Sequence, residues 1–360
     1  MYIVLFTWIV LTLFICCFWG AGSIRILRHH FDVNPDIEIP VSVVICARNE
    51  VENLKSNLPF VLRQEYSNFE VLVVNDHSTD GSEEFLDSLK EHHSHIKVLH
   101  LKEGKLKAGK KEALAKGIKA ASHQNILLTD ADCVPVSVNW IKGAASALTD
   151  DEIYIGVGKY KHNYSFTSYL VQWDTFFAAF QYIWYALAGK PYMGVGRNMG
   201  YKRELFLRKP KQDHDQLPGG DDDLFMVNMR KSRTVVLDEK DYTTESKPPQ
   251  SFERWISQKT RHLSTSFYYP LSLKLSLGLL ASASCLFYPI ALIVAFFYPG
   301  PVLILTAIKL YIQYMAVRKL TGKWGMERMG LHFLWTEPLL ITFMGLFQLR
   351  NLFNPKPKSW

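Results

Sequence analysis

The chain has 360 residues, 48% of them hydrophobic, and a formal net charge of +7. Lys and Arg are scattered without a basic stripe interleaved with aromatic residues, which argues against a nucleic-acid partner. Its five cysteines have no regular spacing, which argues against a disulfide framework and favours a reducing compartment.

Two long stretches, residues 1–24 and 275–308, contain no charged side chain. About 20 apolar residues suffice to span a bilayer, so both are candidate membrane segments, and the polar region 40–265 between them is predicted to be a soluble domain. Arg25 and Arg28 follow the first stretch and no basic residue precedes it, which favours an uncleaved anchor over a signal peptide. The positive-inside rule then places the soluble domain in the cytoplasm.

Apolar, β-branched segments alternate with amphipathic ones from Val41 onward. Such alternation predicts an α/β fold, with a mostly parallel sheet flanked by helices and right-handed crossovers. The predicted strands are 41–47, the run beginning at Phe69, 96–101 and the run beginning at Ile126, and the predicted helices are 50–65, 82–91 and 108–121.

Polar residues stand at the ends of three predicted strands, at 48–50, 75–77 and 130–132. Ligands of open α/β sheets bind in the crevice outside the carboxyl ends of the strands, so these turns are expected to line one site. The alternative is that such residues only cap helices and form turns, and we assign Asp80 and Ser82 that role.

Asp130 and Asp132 are two positions apart after an apolar strand, and on an extended segment their side chains point the same way. Hard cations such as Mg²⁺ and Mn²⁺ prefer oxygen ligands, so the pair is a candidate metal site. Neither a dinucleotide fingerprint nor a phosphate-binding P-loop is present. Lys110 and Lys111 begin a predicted helix, where they either face an anion or are solvated.

Six segments follow one another along roughly residues 40–265: VSVVICARNE, VVNDHSTDGS, AGKKEALAKGI, LLTDADC, GVGRNMGYKRELF and PGGDDDLF. In this order they resemble the motifs of the family-2 glycosyltransferases with the GT-A fold. The resemblance implies a Rossmann-like GT-A domain inserted, in sequence, between transmembrane helices.

The resemblance also implies roles for individual residues. Asp130 and Asp132 would hold a divalent metal, Mn²⁺ or Mg²⁺, and Asp132 is favoured as the direct ligand. The residues implied at the nucleotide sugar are Arg48, Asn49, Glu50, Asp76, Lys110, Asp130, Gln258 and Arg261.

The acidic run 221–223 corresponds to the element that carries the general base in the family. Family members invert configuration by direct displacement, so one base suffices. The run aligns in two registers, and we favour Asp222 as the base with Asp223 second. Adjacent like charges raise at least one carboxyl pKa, although a helix amino terminus also favours such acids without catalysis.

Gln258 and Arg261 correspond to the Q-x-x-R-W element of membrane-bound members, but His262 replaces its Trp, which leaves an acceptor-side role open. The two residues share a helix face. The same helix is amphipathic through residues such as Trp255, so it is alternatively, or additionally, an interfacial helix.

The remaining apolar segments are assigned to the membrane. The aromatic segment 166–188 is predicted to rest on the bilayer surface or on the sheet. Insertion of a carboxylate such as that of Glu337 near mid-bilayer costs about 2.5–3.5 kcal/mol. The segment must therefore either hide Glu337 against neighbouring helices or be re-entrant. Two arrangements are open: four spans, or three spans with a re-entrant segment. The predicted regions are an anchor at 1–24, spans at 271–297, 302–317 and 331–349 within 271–350, and a polar tail at 351–360.

Together these features predict a multi-pass plasma-membrane glycosyltransferase with a cytoplasmic catalytic domain. Its expected partners are a nucleotide-diphospho-sugar donor, a lipid or glycan acceptor and the membrane lipids themselves. A processive polysaccharide synthase and a non-catalytic assembly module that retains the fold are the alternatives.

Overall fold

The computed structural model describes residues 1–102, 109–208, 220–326 and 329–353. The chain divides into two compact units. One comprises Met1–His29, His162–Trp184 and the region from Pro249, and the other comprises His30–Lys161 and Tyr185–Pro248.

The second unit is built on a seven-stranded sheet in the order β3-β2-β1-β4-β8-β6-β9. Strands β3, β2, β1 and β4 are mutually parallel, whereas β8 is antiparallel to both of its neighbours. The strands are β1 Val41–Ala47, β2 Phe69–Asp76, β3 Ile96–Leu101, β4 Asn125–Asp130, β6 Ile153–Gly156, β8 Met199–Lys202 and β9 Thr234–Leu237.

Strands β1–β4 coincide with the predicted β-branched runs. Helices cover both faces of a parallel sheet, so the apolar side chains of its strands are buried on both sides. Val43, Val71 and Leu127 are all fully buried. The α/β fold with a mostly parallel sheet is therefore confirmed. Strand order reverses between β1 and β4, the position at which open sheets bind ligands.

Helices of the same unit connect these strands. On α2, Leu54, Leu58 and Val61 recur at helical spacing and are buried against the sheet. A three-stranded sheet in the order β5-β10-β7 completes the unit. These further elements are α2 Val51–Leu62, α3 Ser82–His92, α4 Gly109–Ala120, α5 Trp140–Asp150, α7 Arg203–Arg208, α8 Asp223–Asn228, β5 Cys133–Pro135, β7 Gly158–Tyr160 and β10 Thr244–Ser246.

The first unit is helical. Among the described residues, three of its helices are long and apolar enough to cross a membrane, namely α1, α10 and α11. The apolar part of α12, Phe333–Leu346, is shorter. The number of spans therefore stays a prediction. The helices are α1 Tyr2–Arg28, α6 Phe166–Leu187, which ends in the second unit, α9 Phe252–Thr265, α10 Leu271–Ala295, α11 Pro299–Lys323 and α12 Phe333–Phe353.

Glu337 of α12 is hidden against neighbouring helices, one of the two arrangements expected from the sequence. Its carboxylate accepts hydrogen bonds from Lys309 Nζ, Gln313 Nε2 and Tyr288 Oη, each at 2.8 Å. Lys309 is 1% exposed and Glu337 6% exposed. A buried carboxylate in this position requires such partners, since an unpaired charge would be far more costly.

The aromatic helix α6 packs against α1, a partner that sequence analysis did not identify. Trp19 stacks on Phe180 with ring centroids 4.5 Å apart. Gly22 permits this contact, because a Cβ atom there would lie 2.6 Å from Phe180 Cζ. The aromatic content of this helix therefore serves helix packing within the unit.

Candidate functional site

The polar turns that follow β1 and β2 are fastened to each other. Asn49 Oδ1 accepts a hydrogen bond from Thr79 N at 2.8 Å, and Asn49 N donates to Ser78 Oγ at 2.9 Å. Asn49 has a φ of +54°, a left-handed conformation that Asn tolerates better than most residues. Asp80 accepts from Val51 N at 2.9 Å and from Ser82 Oγ at 2.6 Å, consistent with the turn and capping role expected for this pair.

The predicted nucleoside residues occupy these turns. Arg48 is exposed, Glu50 precedes α2, and Asp76 ends β2 with His77 Nδ1 2.8 Å from its Oδ1. Burial raises the pKa of Glu50, and the carboxylates of Asp132 and Asp130 add to the effect. That electrostatic influence connects the turn after β1 with the acidic pair after β4.

Lys110, near the start of α4, links two acidic segments that are far apart in sequence. Its Nζ lies 2.5 Å from Asp130 Oδ1 and 3.9 Å from Asp221 Oδ2. Burial acts to lower the pKa of Lys110, but the two carboxylates outweigh it and raise the pKa above its ordinary value. Lys110 is therefore an ammonium group at the meeting point of the DxD turn and the 221–223 run.

Asp130, Asp132 and Cys133 have ligand atoms that lie within 4.8 Å of one another. Burial raises the pKa of Asp132, and the neighbouring charge of Asp130 raises it further. Burial also raises the pKa of Cys133 and keeps the thiol protonated, so the two carboxylates are the anionic ligands present. Two converging carboxylates suit a hard divalent cation such as Mn²⁺ or Mg²⁺.

Asp222 precedes α8, and its side chain accepts hydrogen bonds from Asp223 N at 2.8 Å and Gly196 N at 3.2 Å. Burial raises its pKa to about 7, and the charges of Asp221 and Asp223 contribute to the shift. Asp223 is 6% exposed and accepts from Leu224 N within its own helix. Of the two candidate bases, Asp222 lines the crevice that also contains Lys110 and Asp130, and Asp223 does not.

A single crevice contains the central residues predicted from three motifs. Lys110, Asp130 and Asp222 all line it, together with Gly196 of the segment before β8. The complete lining is Val44, Cys46, Lys110, Leu114, Leu128, Thr129, Asp130, Gly196, Met199, Asp221 and Asp222. Asp130 of the candidate metal pair and Asp222, the acid with a pKa of about 7, therefore line one crevice, whereas Asp132 is not among its lining residues.

Arg197 was not among the residues predicted for the site. Its Nη2 donates to Gly158 O at 2.7 Å, and its guanidinium stacks on Tyr160 at 4.2 Å from the ring centroid. The positive charge of Arg197 opposes the rise in the pKa of Asp132. The only signal in the sequence was the position of Arg197 in the GVGRNMG segment. Its contacts with Gly158 and Tyr160 join parts of the chain that are distant in sequence.

Gln258 and Arg261 lie on α9 of the other unit, three residues apart on one helix as predicted. Trp255 of the same helix is buried. Ser251 caps α9, since its side chain accepts a hydrogen bond from Arg254 N at 3.2 Å. Contact of Gln258 and Arg261 with a nucleotide stays a prediction.

Comparison with known proteins identifies the class to which this site belongs. Residues 42–208 match the model of glycosyl transferase family 2, and this part of the chain belongs to that family. The match includes both turns, Lys110 and the Asp130–Asp132 pair, and it ends before the acidic run 221–223.

Two curated relatives match a shorter part of the chain. The poly-β-1,6-N-acetyl-D-glucosamine synthase of Staphylococcus aureus is 32% identical over 130 residues, which are 34% of this chain and 31% of the synthase. The protein of the same name from Staphylococcus epidermidis is 34% identical over 94 residues, 26% of this chain and 22% of that protein. The matched region thus spans about a third or less of these relatives.

A solved structure resembles the fold over most of the chain. A mannosyltransferase from Pyrobaculum calidifontis, in complex with GDP-mannose and Mn²⁺, superposes with a TM-score of 0.57 and 18% identity. The superposition covers 90% of this chain and 99% of the mannosyltransferase. At this level of identity the similarity establishes a common fold.

Proposed function

We propose that this protein is a membrane-embedded, inverting glycosyltransferase that moves a sugar from a nucleotide-diphospho-sugar to a lipid or glycan acceptor. The observation that carries the proposal is the double contact of Lys110 with Asp130 and Asp221, in a crevice that Asp222 also lines. A donor diphosphate and an acceptor hydroxyl would need to meet at such a point.

Asp222 is the proposed general base. An acceptor hydroxyl within about 3 Å of its carboxylate would lose its proton to it. The acceptor oxygen would then form a bond to the anomeric carbon, while the bond from that carbon to the diphosphate oxygen breaks and the electron pair leaves with the nucleoside diphosphate. A base with a pKa of about 7 suits this task, because it is partly ionised at neutral pH and still basic enough to accept the proton.

Asp132 and Asp130 would hold a divalent cation, Mn²⁺ or Mg²⁺, which would neutralise charge that develops on the departing diphosphate. Lys110 would add a positive charge on the same side of the crevice. Support comes from the convergence of the two carboxylates and from the Mn²⁺ bound by the mannosyltransferase of the same fold.

The turn residues 48–50 and Asp76 are proposed to hold the nucleoside. Their support is that hydrogen bonds of Asn49 tie the turns after β1 and β2 together beside the switch point of the sheet. Gln258 and Arg261 are proposed to contact the diphosphate, for which a guanidinium group is well suited.

The experiment that tests the proposal incubates membranes containing the protein with a panel of nucleotide sugars, with and without Mn²⁺. An N-acetylglucosamine donor comes first, because that sugar appears in the name of the relatives. Transfer should require metal and should be lost in Asp132→Ala and in Asp222→Ala. Both variants should still insert into the membrane and fold. Activity retained in Asp222→Ala would move the base to Asp223.

A processive polysaccharide synthase is the second candidate, favoured by the name of the curated relatives. Product size with the purified enzyme separates it from single transfer, since a synthase releases long chains. Absence of both transfer and metal-dependent hydrolysis of the donor would instead indicate a non-catalytic assembly module.

A further inference from the structure

A second group of potential metal ligands lies on the other side of β2 from the DxD turn. Glu83 and Asp87 are four residues apart and share one face of α3, and His100 is on β3. One ligand atom from each of the three lies within 4.8 Å of the others. The described part of the chain has only this group and the Asp130–Asp132–Cys133 group with such geometry.

His100 is oriented from both of its ring nitrogens. Its Nε2 lies 3.1 Å from Asp87 Oδ1, and its Nδ1 lies 3.0 Å from Asn75 Nδ2. Asn75 and His100 are directly paired in the parallel register of β2 and β3, which holds the amide beside the ring. Metal-binding histidines commonly have this arrangement, with one nitrogen directed to the metal and the other fixed by a second group.

The buried amide of Asn75 bears on which nitrogen of His100 carries the proton. Asn75 is 2% exposed, it lines a crevice together with Glu83 and His100, and its Oδ1 has no hydrogen-bond partner among the described residues. Rotation of the amide would let Oδ1 accept from His100 Nδ1–H and leave the lone pair of Nε2 directed toward Asp87, which is the tautomer that a metal bound at Nε2 requires.

That tautomer brings three electron-pair donors together, the Nε2 lone pair and the carboxylates of Glu83 and Asp87. Without a cation between them they repel one another, whereas a divalent cation satisfies all three. Lys102 Nζ lies 2.7 Å from Glu83 Oε1 and partly neutralises the group, but this lysine is 69% exposed and can move into solvent.

We propose that Glu83, Asp87 and His100 form a second divalent-metal site, which fits Zn²⁺ and fastens the start of α3 to β3. One imidazole nitrogen and two carboxylate oxygens are ligands that zinc accepts, with water completing the coordination. The site depends on neither glycosyl transfer nor the metal proposed at Asp130 and Asp132.

The test is calorimetric titration of the purified full-length protein with Zn²⁺, in an Asp132→Asn background that weakens the other candidate site. Two variants should each weaken Zn²⁺ binding about 10–100-fold or more: His100→Ala, and Asp87→Asn, which keeps nearly the same shape. Loss of a residue that only supports a metal ligand already has an effect of this size, so loss of a ligand should have at least as large an effect. Lys102→Ala, which removes the competing ammonium, should strengthen the binding.

His93→Ala is the matched control, because His93 is an exposed histidine just after α3 in the same histidine-rich segment. It should leave Zn²⁺ affinity unchanged. Zinc binding that persists in both His100→Ala and Asp87→Asn, or that His93→Ala removes equally, would overturn the proposal. Zinc should also raise the thermal unfolding temperature of the Asp132→Asn protein and not that of its His100→Ala derivative.

Discussion

The carboxyl group of Asp222 lies beside two further acidic residues and takes part in two hydrogen bonds from backbone N–H groups. Those bonds favour its charged form, whereas burial and the charges of Asp221 and Asp223 oppose it. The opposing effects dominate and place its pKa at about 7. Two measurable consequences follow from this pKa, one for the rate of transfer and one for the stability of the protein.

The first consequence is a pH dependence of transfer. A general base acts only when deprotonated, so the rate should increase with pH and level off above about 7. Asp222→Asn should lower the rate about 10²–10⁴-fold. Initial rates from pH 5.5 to 8.5 at saturating donor test both expectations. A wild-type rate that is independent of pH over this range would exclude Asp222 as the base.

The second consequence is a pH dependence of stability that requires no substrate. Because the folded state raises this pKa from 3.8 to about 7, the folded protein binds the extra proton and its stability falls as pH rises between these values. Asp222→Asn lacks this loss, so its unfolding temperature relative to wild type should increase from pH 5 to pH 8. Thermal unfolding in detergent measures the difference, with exposed Asp36→Asn as control. A difference that is constant with pH would contradict the raised pKa.

At the scale of secondary-structure elements, Asn198 connects four segments of the second unit. Its Oδ1 accepts from Trp140 Nε1 and Tyr154 Oη, each at 3.0 Å, and its Nδ2 donates to the carbonyls of Val157 and Tyr242 at 2.9 and 2.8 Å. Gly156 leaves space for it, because a Cβ atom there would lie 2.4 Å from Asn198 Nδ2. The residue thereby positions the adjacent Arg197.

Asn198→Ala should destabilise the protein by about 3 kcal/mol or more, because buried groups on several partners lose their hydrogen bonds at about 1–3 kcal/mol each. Denaturant unfolding followed by fluorescence measures the loss. Asn34→Ala, at an exposed position, is the control and should change stability little. A loss in Asn198→Ala no larger than in the control would show that these bonds contribute nothing net.

The helices α10, α11 and α12 share the polar cluster around Glu337. Glu337→Leu leaves Lys309 buried without its partner and should cost about 3–5 kcal/mol. The double variant Lys309→Leu/Glu337→Leu should recover most of that loss, because it leaves no unpaired charge. Thermal unfolding of the two variants in detergent gives the comparison.

Leu292→Ala serves as the control for these substitutions, since Leu292 is 77% exposed on α10. The double variant should then unfold close to the control. If it instead unfolds at or below the temperature of Glu337→Leu, the charges are not coupled and the ion pair does not explain the packing of the three helices.

For the whole molecule, the topology expected from the positive-inside rule has an external amino terminus and places the second unit, His30–Lys161 and Tyr185–Pro248, in the cytoplasm. The amino-terminal end of α11, which includes Gly300, then faces outside, whereas Ser122 of the second unit faces inside. In a cysteine-free background, Gly300→Cys should react with a membrane-impermeant thiol reagent in intact cells, and Ser122→Cys only after permeabilisation. The reverse pattern would invert the topology.

Local features of the sequence predicted the strands β1–β4, their parallel arrangement, the acidic pair after β4 and the acidic run at 221–223. These features depend on side-chain periodicity and turn chemistry, which neighbouring residues determine. The resemblance to family 2 was carried by the same local motifs. The short strand β8 has no such periodicity, yet it pairs with β4 in antiparallel register.

Only the tertiary structure decided which acids share one crevice, that Lys110 contacts both Asp130 and Asp221, and that Asp222 rather than Asp223 lines that crevice. It also decided that Glu337 is paired with Lys309 and that His100 faces Asp87. Each of these facts joins residues that are distant along the chain. Burial and charge proximity act through space, so no pattern of neighbouring residues specifies them.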